Sequence, residues 1–166
     1  MERSEFLIQA RRHCASLSPV WWGCLGGYTV AGNFNLALFG LAAPATGANN
    51  VVASFSDNQE VGACSVSTTG AHQTSSTGTY ASGDGVSDTA SVNVSSAADE
   101  LVIDFVMATA NSALTAGAGQ TERANLDTGG IFWVAASTEP GAGTVTMSWT
   151  VPVADAWTTN GISIKA

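Results

Sequence analysis

Residues 101–107 read LVIDFVM and residues 144–151 read TVTMSWTV, and these two stretches decide what the chain can fold into. In the second, Val145, Met147, Trp149 and Val151 alternate with Thr144, Thr146, Ser148 and Thr150. A period of two belongs to a strand, because successive side chains leave opposite faces of the pleat. The segment is therefore read as a strand with its apolar face inward. The first stretch is apolar on both faces, with Leu101, Ile103, Phe105 and Met107 on one and Val102 and Val106 on the other. Such a strand belongs in the middle of its sheet. Asp104 interrupts it, and a carboxylate there must find donors or a cation, since desolvating it alone is costly.

Outward from these two, short strand-like runs follow one another between Gly, Asn and Ser punctuation. Residues 34–41 place Phe34, Leu36 and Leu38 on one face, and PATG at 44–47 makes a turn. Val51, Ala53 and Phe55 continue on the next run, then residues 61–67. The polar stretch 68–89, TTGAHQTSSTGTYASGDGVSDT, reads as a long loop or a weak edge strand around residues 78–81. Ala90, Val92 and Val94 then alternate with Ser91, Asn93 and Ser95. Residues 120–124 and 131–137 add two more strands, and Ile162 and Ile164 mark the last. Trp157 has the opposite parity to those two, which predicts a bulge near Asn160-Gly161. About nine or ten strands with almost no helix favour two packed sheets over one. The expected fold is all-β: a two-sheet antiparallel sandwich, jelly-roll-like, with an immunoglobulin-like sandwich as the alternative.

Composition agrees. Charged residues are 11% of the chain, against roughly 25% in an ordinary soluble domain. Helix surfaces usually carry most of a protein's charge, so their scarcity argues for strands surfaced with Ser and Thr. Five basic residues against thirteen acidic ones leave a net charge of −8, which repels phosphate backbones and disfavours nucleic acid. No apolar run is long enough for a spanning helix, so membrane insertion is not expected. Cys14, Cys24 and Cys64 lack CxxC spacing. A Cys14–Cys24 bridge stays open as a question of export, and Cys64, in VGACSV, reads as a small buried hydrophobe.

Residues 1–27 are unlike the rest and form an atypical N-terminal segment, with a single sandwich domain over 28–166. Phe6, Leu7 and Ala10 share a face at helical spacing, so residues 2–13 are expected to be a short helix or irregular. Pro19 and Gly23, Gly26 and Gly27 end any continuation. The stretch FNLALFGLAAPATGA imitates part of an export signal, but its apolar run is short and reads better as a buried strand.

Three strings in the second half are familiar: GAGQTERAN at 117–125, ASTEPGAGTVTMSWTV at 136–151 and AWTTNGISIKA at 156–166. Before them stand LFGLAAPATGANNVVASFS, GACSVSTTGAHQTSSTGTYAS and DELVIDFV. In this order they resemble a group of β-sandwich domains of bacterial secreted or surface proteins and of bacteriophage virion or tail-associated proteins. The resemblance covers about residues 34–166 and rests on the order of the pieces. It implies an extracellular, cell-surface or virion location and contacts with protein or glycan surfaces. Trp22-Gly23 and Gly26-Gly27-Tyr28 depart from the opening strands of such domains. That departure implies an incomplete first sheet, whose exposed edge could pair with a second copy.

No catalytic set stands out, and the chain is not expected to be an enzyme. Nucleophilic catalysis needs a base, and only His13 and His72 are present. His72 lies in a polar loop and reads as solvated. Zinc would need several His or Cys ligands at close spacing, and none are so placed. Calcium needs only oxygens, and Asp84 with Asp88, or Asp99 with Glu100, could supply them, but the spacing departs from the DxDxDG loop. No cofactor is expected. GAGQTER lacks the lysine of a phosphate-binding loop. For a sugar site, rings must be exposed. Trp149 and Trp133 read as core, leaving Trp22, Tyr80 and Trp157 as ligand-binding candidates, with Trp21 beside them. The sequence thus points to a structural or adhesive module, with a carbohydrate-binding module of a secreted protein as the alternative. A hydrolase would require a site organised by the 68–89 stretch, bringing His72 or two carboxylates together.

Overall fold

The computed structural model describes residues 3–10, 23–30, 34–44, 47, 50, 61–130 and 132–166. Regular structure among them is entirely β, with no helix. The strands are β1 (Arg3–Ala10), β2 (Gly23–Val30), β3 (Phe34–Ala42), β4 (Ser65–Thr69), β5 (Thr77–Ser96), β6 (Leu101–Ala108), β7 (Thr115–Ala116), β8 (Thr121–Asp127), β9 (Trp133–Pro140) and β10 (Gly143–Ile164). Every pairing is antiparallel. Four strands pair in the order β2-β3-β1-β4, and six in the order β5-β10-β6-β9-β8 with β7 attached to β10.

As LVIDFVM implied, β6 lies inside its sheet, between β10 and β9. Both its faces are covered. On one, Ile103, Phe105 and Met107 join Val134 and Ala136 of β9 and Ile162 and Ile164 of β10. They pack against Leu36 and Leu38 of β3, Val66 of β4 and Cys64. On the other face Val102 meets Val92, Val94, Val145 and Met147, while Val106 and Ala108 meet Ala90, Trp149, Val151 and Trp157.

That second covering layer comes from the same two strands that pair into the sheet. β5 and β10 run alongside one another from Gly143↔Ser96 to Ile164↔Thr77. Their register slips between Thr150 and Asp155, a stretch containing Pro152. Proline has no N–H for the ladder and is at home in such an irregularity. There the hairpin doubles over. In a straight strand Gly83 and Ser91 would lie roughly 26 Å apart at about 3.3 Å per residue. Instead, a Cβ built on Gly83 would stand 2.9 Å from the Ser91 carbonyl oxygen. Gly161, likewise, faces Val92 and Val94 so closely that a Cβ there would collide with Val94 Cγ2. Glycine at 161 is what lets the folded arm settle on the sheet.

Two expectations are corrected and two are sharpened. Residues 3–10 are a strand, not part of a helix: β1 sits between β3 and β4, aligning Ile8 with Leu38 and Phe6 with Gly40 and Val66. Helical spacing of three residues is a weak signal, and pairing with two neighbours overrides it. For the polar stretch 68–89 the edge-strand alternative holds, but the strand is far longer than residues 78–81: β5 begins at Thr77, ends its sheet and pairs with β10 over most of its length. Residues 61–64 have no regular structure, and the strand begins at Ser65. The irregularity expected near Asn160-Gly161 falls just beyond it, between Ile162 and Ile164, and only in the ladder with β5; β10 pairs with β6 without a break from Trp157↔Ala108 to Ile164↔Leu101. The parity mismatch has a simpler cause: Trp157 and Ile162 face opposite sides of a strand buried on both. The expected strand at 51–55, with Val51, Ala53 and Phe55, lies outside the described residues, as do His13, Cys14, Trp21 and Trp22.

Candidate functional site

Asp104 is completely buried. Register places it opposite Gly161 of β10 and Ser137 of β9, with the folded arm above. It meets donors, as its place in an apolar strand demanded. Ser137 donates to Oδ1 twice, from its hydroxyl at 2.5 Å and its backbone N–H at 3.1 Å. Trp149, on the folded arm, donates its indole N–H to Oδ2 at 2.7 Å. Burial pushes the carboxyl up to about 7, the hydrogen bonds from Ser137 and Trp149 pulling partly back. The group is therefore poised to hold or release a proton near neutrality.

The cluster continues through Gln120, which stands just before β8. Its Nε2 donates to Ser137 Oγ at 2.6 Å, and its Oε1 accepts from Ser148 N at 2.7 Å. A tight turn, GAGQ at 117–120, delivers it. Gly117 donates to the Ser148 carbonyl, and a Cβ at 117 would collide with Ser148 Oγ and crowd Gln120 Oε1. Gly119 has φ +89°, a left-handed conformation that suits glycine. A buried base, a hydroxyl, a carboxamide and a donor to the amide oxygen thus stand in line. Ser137 is fully buried, so an external substrate has no access to its hydroxyl.

The residues singled out from the sequence fall elsewhere. Trp157 is 8% exposed, part of the core, with its indole N–H on Ser87 Oγ at 2.8 Å; the expectation of an exposed ring is corrected. Tyr80 is half-buried against the core and donates its hydroxyl to Asn160 Oδ1 at 3.0 Å. Its ring, too, lies against apolar side chains rather than standing free. Trp22 lies outside the described residues. Asp84 is exposed on β5, opposite Thr158, and Asp88 is exposed near the bend, accepting from Thr89 Oγ1 at 3.3 Å. Asp99 is exposed in the turn before β6. Glu100 closes that turn, its Oε2 accepting from Ala97 N at 3.0 Å. Among the described residues no three of His, Cys, Asp and Glu gather as a metal would require. His72 is exposed, and its Nδ1 accepts from Ser75 N at 3.1 Å within its own turn. Cys64 is the buried hydrophobe expected, its thiol pushed up to about 12 by burial, with the Asp104 charge adding to the rise.

The outer face of the folded arm is of a different character. Ser91, Asn93 and Ser95 stand opposite Ser148, Thr146 and Thr144, and Thr89 opposite Thr150. All but Ser148 are exposed, and none is charged. One cross-strand bond, Thr146 Oγ1 to Asn93 Oδ1 at 2.7 Å, ties the two strands. Near the bend two valines are bare, Val86 (73% exposed) and Val153 (66%). Comparison with family models, with curated proteins and with solved structures finds no match.

Sequence reading marked Asp104 as needing partners but missed them. Gln120 and Ser137 were inconspicuous among many polar residues. The usable signal was the GAGQ turn, whose two glycines aim the next side chain inward. Trp149 was assigned inward correctly, but alternation says nothing of where its N–H points.

Proposed function

We infer that the chain is a non-catalytic structural or adhesive module, a two-sheet sandwich of jelly-roll type on a phage virion or tail or a bacterial surface. It works by contact. The doubled-over β5–β10 hairpin supports the jelly-roll description, since its arm covers one face of the sheet to which it belongs. The observation that carries the functional reading is the arm's outer face, a regular ladder of exposed, uncharged Ser, Thr and Asn on paired strands. Such a surface offers hydrogen bonds in a fixed array without the desolvation cost of charges. Among the described residues β5 and β8 end the six-stranded sheet, and end strands offer backbone groups for pairing with a second copy.

The carbohydrate alternative needs a stacking platform, and the rings of Tyr80 and Trp157 are turned into the core. A glycan-array screen of the full chain, with calcium and then with chelator, separates the readings. Contact through protein predicts no saturable glycan binding, and reversible self-association in sedimentation velocity that Asn93→Lys or Thr146→Lys weakens. Saturable glycan binding by folded protein would replace this reading with the carbohydrate-binding one. Loss of that binding on chelation would add calcium as a cofactor.

A further inference from the structure

We propose that Ser137 and Gln120 are the two halves of a self-forming ester cross-link, with Asp104 as the proton carrier between them. This rests on the Asp104 cluster alone and does not depend on how the outer surface is used.

Four groups needed for acyl transfer are already in hydrogen-bond contact. The nucleophile is Ser137 Oγ, which donates to Asp104 Oδ1 at 2.5 Å. The base is Asp104, aimed by the Trp149 N–H on its other oxygen. Its carboxyl, held near neutrality by burial, can both take and return a proton. The electrophile is the Gln120 carboxamide, whose nitrogen lies 2.6 Å from the same Oγ. At rest its oxygen accepts from Ser148 N at 2.7 Å, with Ser148 Oγ at 3.5 Å. In the resting arrangement Oγ lies on the nitrogen side of the amide. The terminal torsion of glutamine is broad, and turning it gives up the two resting bonds to Ser137 Oγ and Ser148 N while bringing a face of the carboxamide carbon toward Oγ. Alcohols do not attack amides in water at any useful rate. Holding the two in contact, with a base in place, is the kind of arrangement that raises effective concentration by orders of magnitude.

The step balances without an oxidant or a co-reactant. Asp104 takes the proton from Ser137 Oγ, and an oxygen lone pair forms the bond to Gln120 Cδ. The carbonyl π pair moves onto Oε1. The intermediate collapses as the Cδ–Nε2 bond breaks, its electron pair leaving with nitrogen, which takes the proton back from Asp104. The products are an ester between residues 120 and 137 and one ammonia, and Asp104 returns to its starting state. Gln120 is only half-buried, so ammonia can leave, and its protonation and dilution in water draw the reaction forward. Ser137 and Asp104 are fully buried, which shields the serine side of the ester from water.

Intact-mass measurement of the denatured full chain, after incubation at neutral pH, tests this. The expected mass is below the sequence mass by one ammonia. Trypsin adds the location, because Arg123 is the only cleavage point between Gln120 and Ser137. Segments 13–123 and 124–165 should remain joined after digestion, and alkaline hydroxylamine, which cleaves esters, should part them. Gln120→Ala and Ser137→Ala should restore the full mass and give separate segments. Asp104→Asn should do the same if its role is proton transfer; a link that still forms in that variant would overturn the role. Full mass with separable segments in the unaltered protein would overturn the whole proposal, whether or not any variant folds. Ammonia loss with separable segments would overturn it equally, since the loss would then lie at another amide.

Discussion

At the scale of single residues, Trp149 gives its one N–H to Asp104 Oδ2, joining the folded arm to the sheet beneath. Trp149→Phe keeps most of the ring's packing and removes that donor. A buried acceptor left unsatisfied costs about 1–3 kcal/mol, so the urea midpoint should fall accordingly. An unchanged midpoint would mean that the bond contributes nothing to holding the arm. Cys64 offers a second check. Its thiol is buried and pushed up to about 12, so it carries almost no thiolate at neutral pH. Iodoacetamide should leave Cys64 unlabelled in the native protein and label it once urea is added, as read by peptide mapping. Labelling of the native protein at rates typical of a free thiol would contradict its place in the core.

At the scale of elements, the bend of β5 and β10 governs how the molecule is layered, and Gly161 sits where the layers come closest. Gly161→Ala would drive a methyl into Val94, a fully buried and stiff side chain. The expected loss is about 1–3 kcal/mol, as for other overpacked cores. Ser91→Ala, on the exposed face of the same arm, should change stability by less than about 0.5 kcal/mol. Equal effects in the two variants would argue against the close approach. The elements also divide by how legible they were. β6 was plain as a short run apolar on both faces, and the first half of β10 because it alternates strictly over eight residues. β5 was not. Its first half, TGTYASGDGV, carries three glycines and an aspartate that weaken strand preference, and pairing with β10 makes it a strand. β1 was misread for the same reason, its few apolar residues fitting either period.

At the scale of the whole molecule, Asp104 makes stability depend on pH. Its carboxyl is raised from 3.8 to about 7 on folding, so between those values the folded chain binds more protons than the unfolded one. Stability from this group is then complete below about pH 4 and is lost as pH rises through 7. At 1.36 kcal/mol per unit the ceiling is about 4 kcal/mol. Urea midpoints at pH 5 and pH 8 should differ in that direction, and Asp104→Asn should flatten the difference. A wild type that gains stability between those pH values, relative to the variant, would reverse the assignment. The net charge of −8 adds self-repulsion at high pH, which is why the comparison with Asp104→Asn matters. The sequence by itself determined that the chain is built of strands, that 101–107 is central, that 144–151 faces inward and that Asp104 needs donors. Those are matters of side-chain period and of the cost of burying charge, both local to a few residues. Only the tertiary structure decided which donors Asp104 meets, that Trp157 is core, that β5 doubles back and that Gln120 reaches Ser137. Each depends on two segments distant in sequence meeting in space, and neither segment alone carries the register that brings them together.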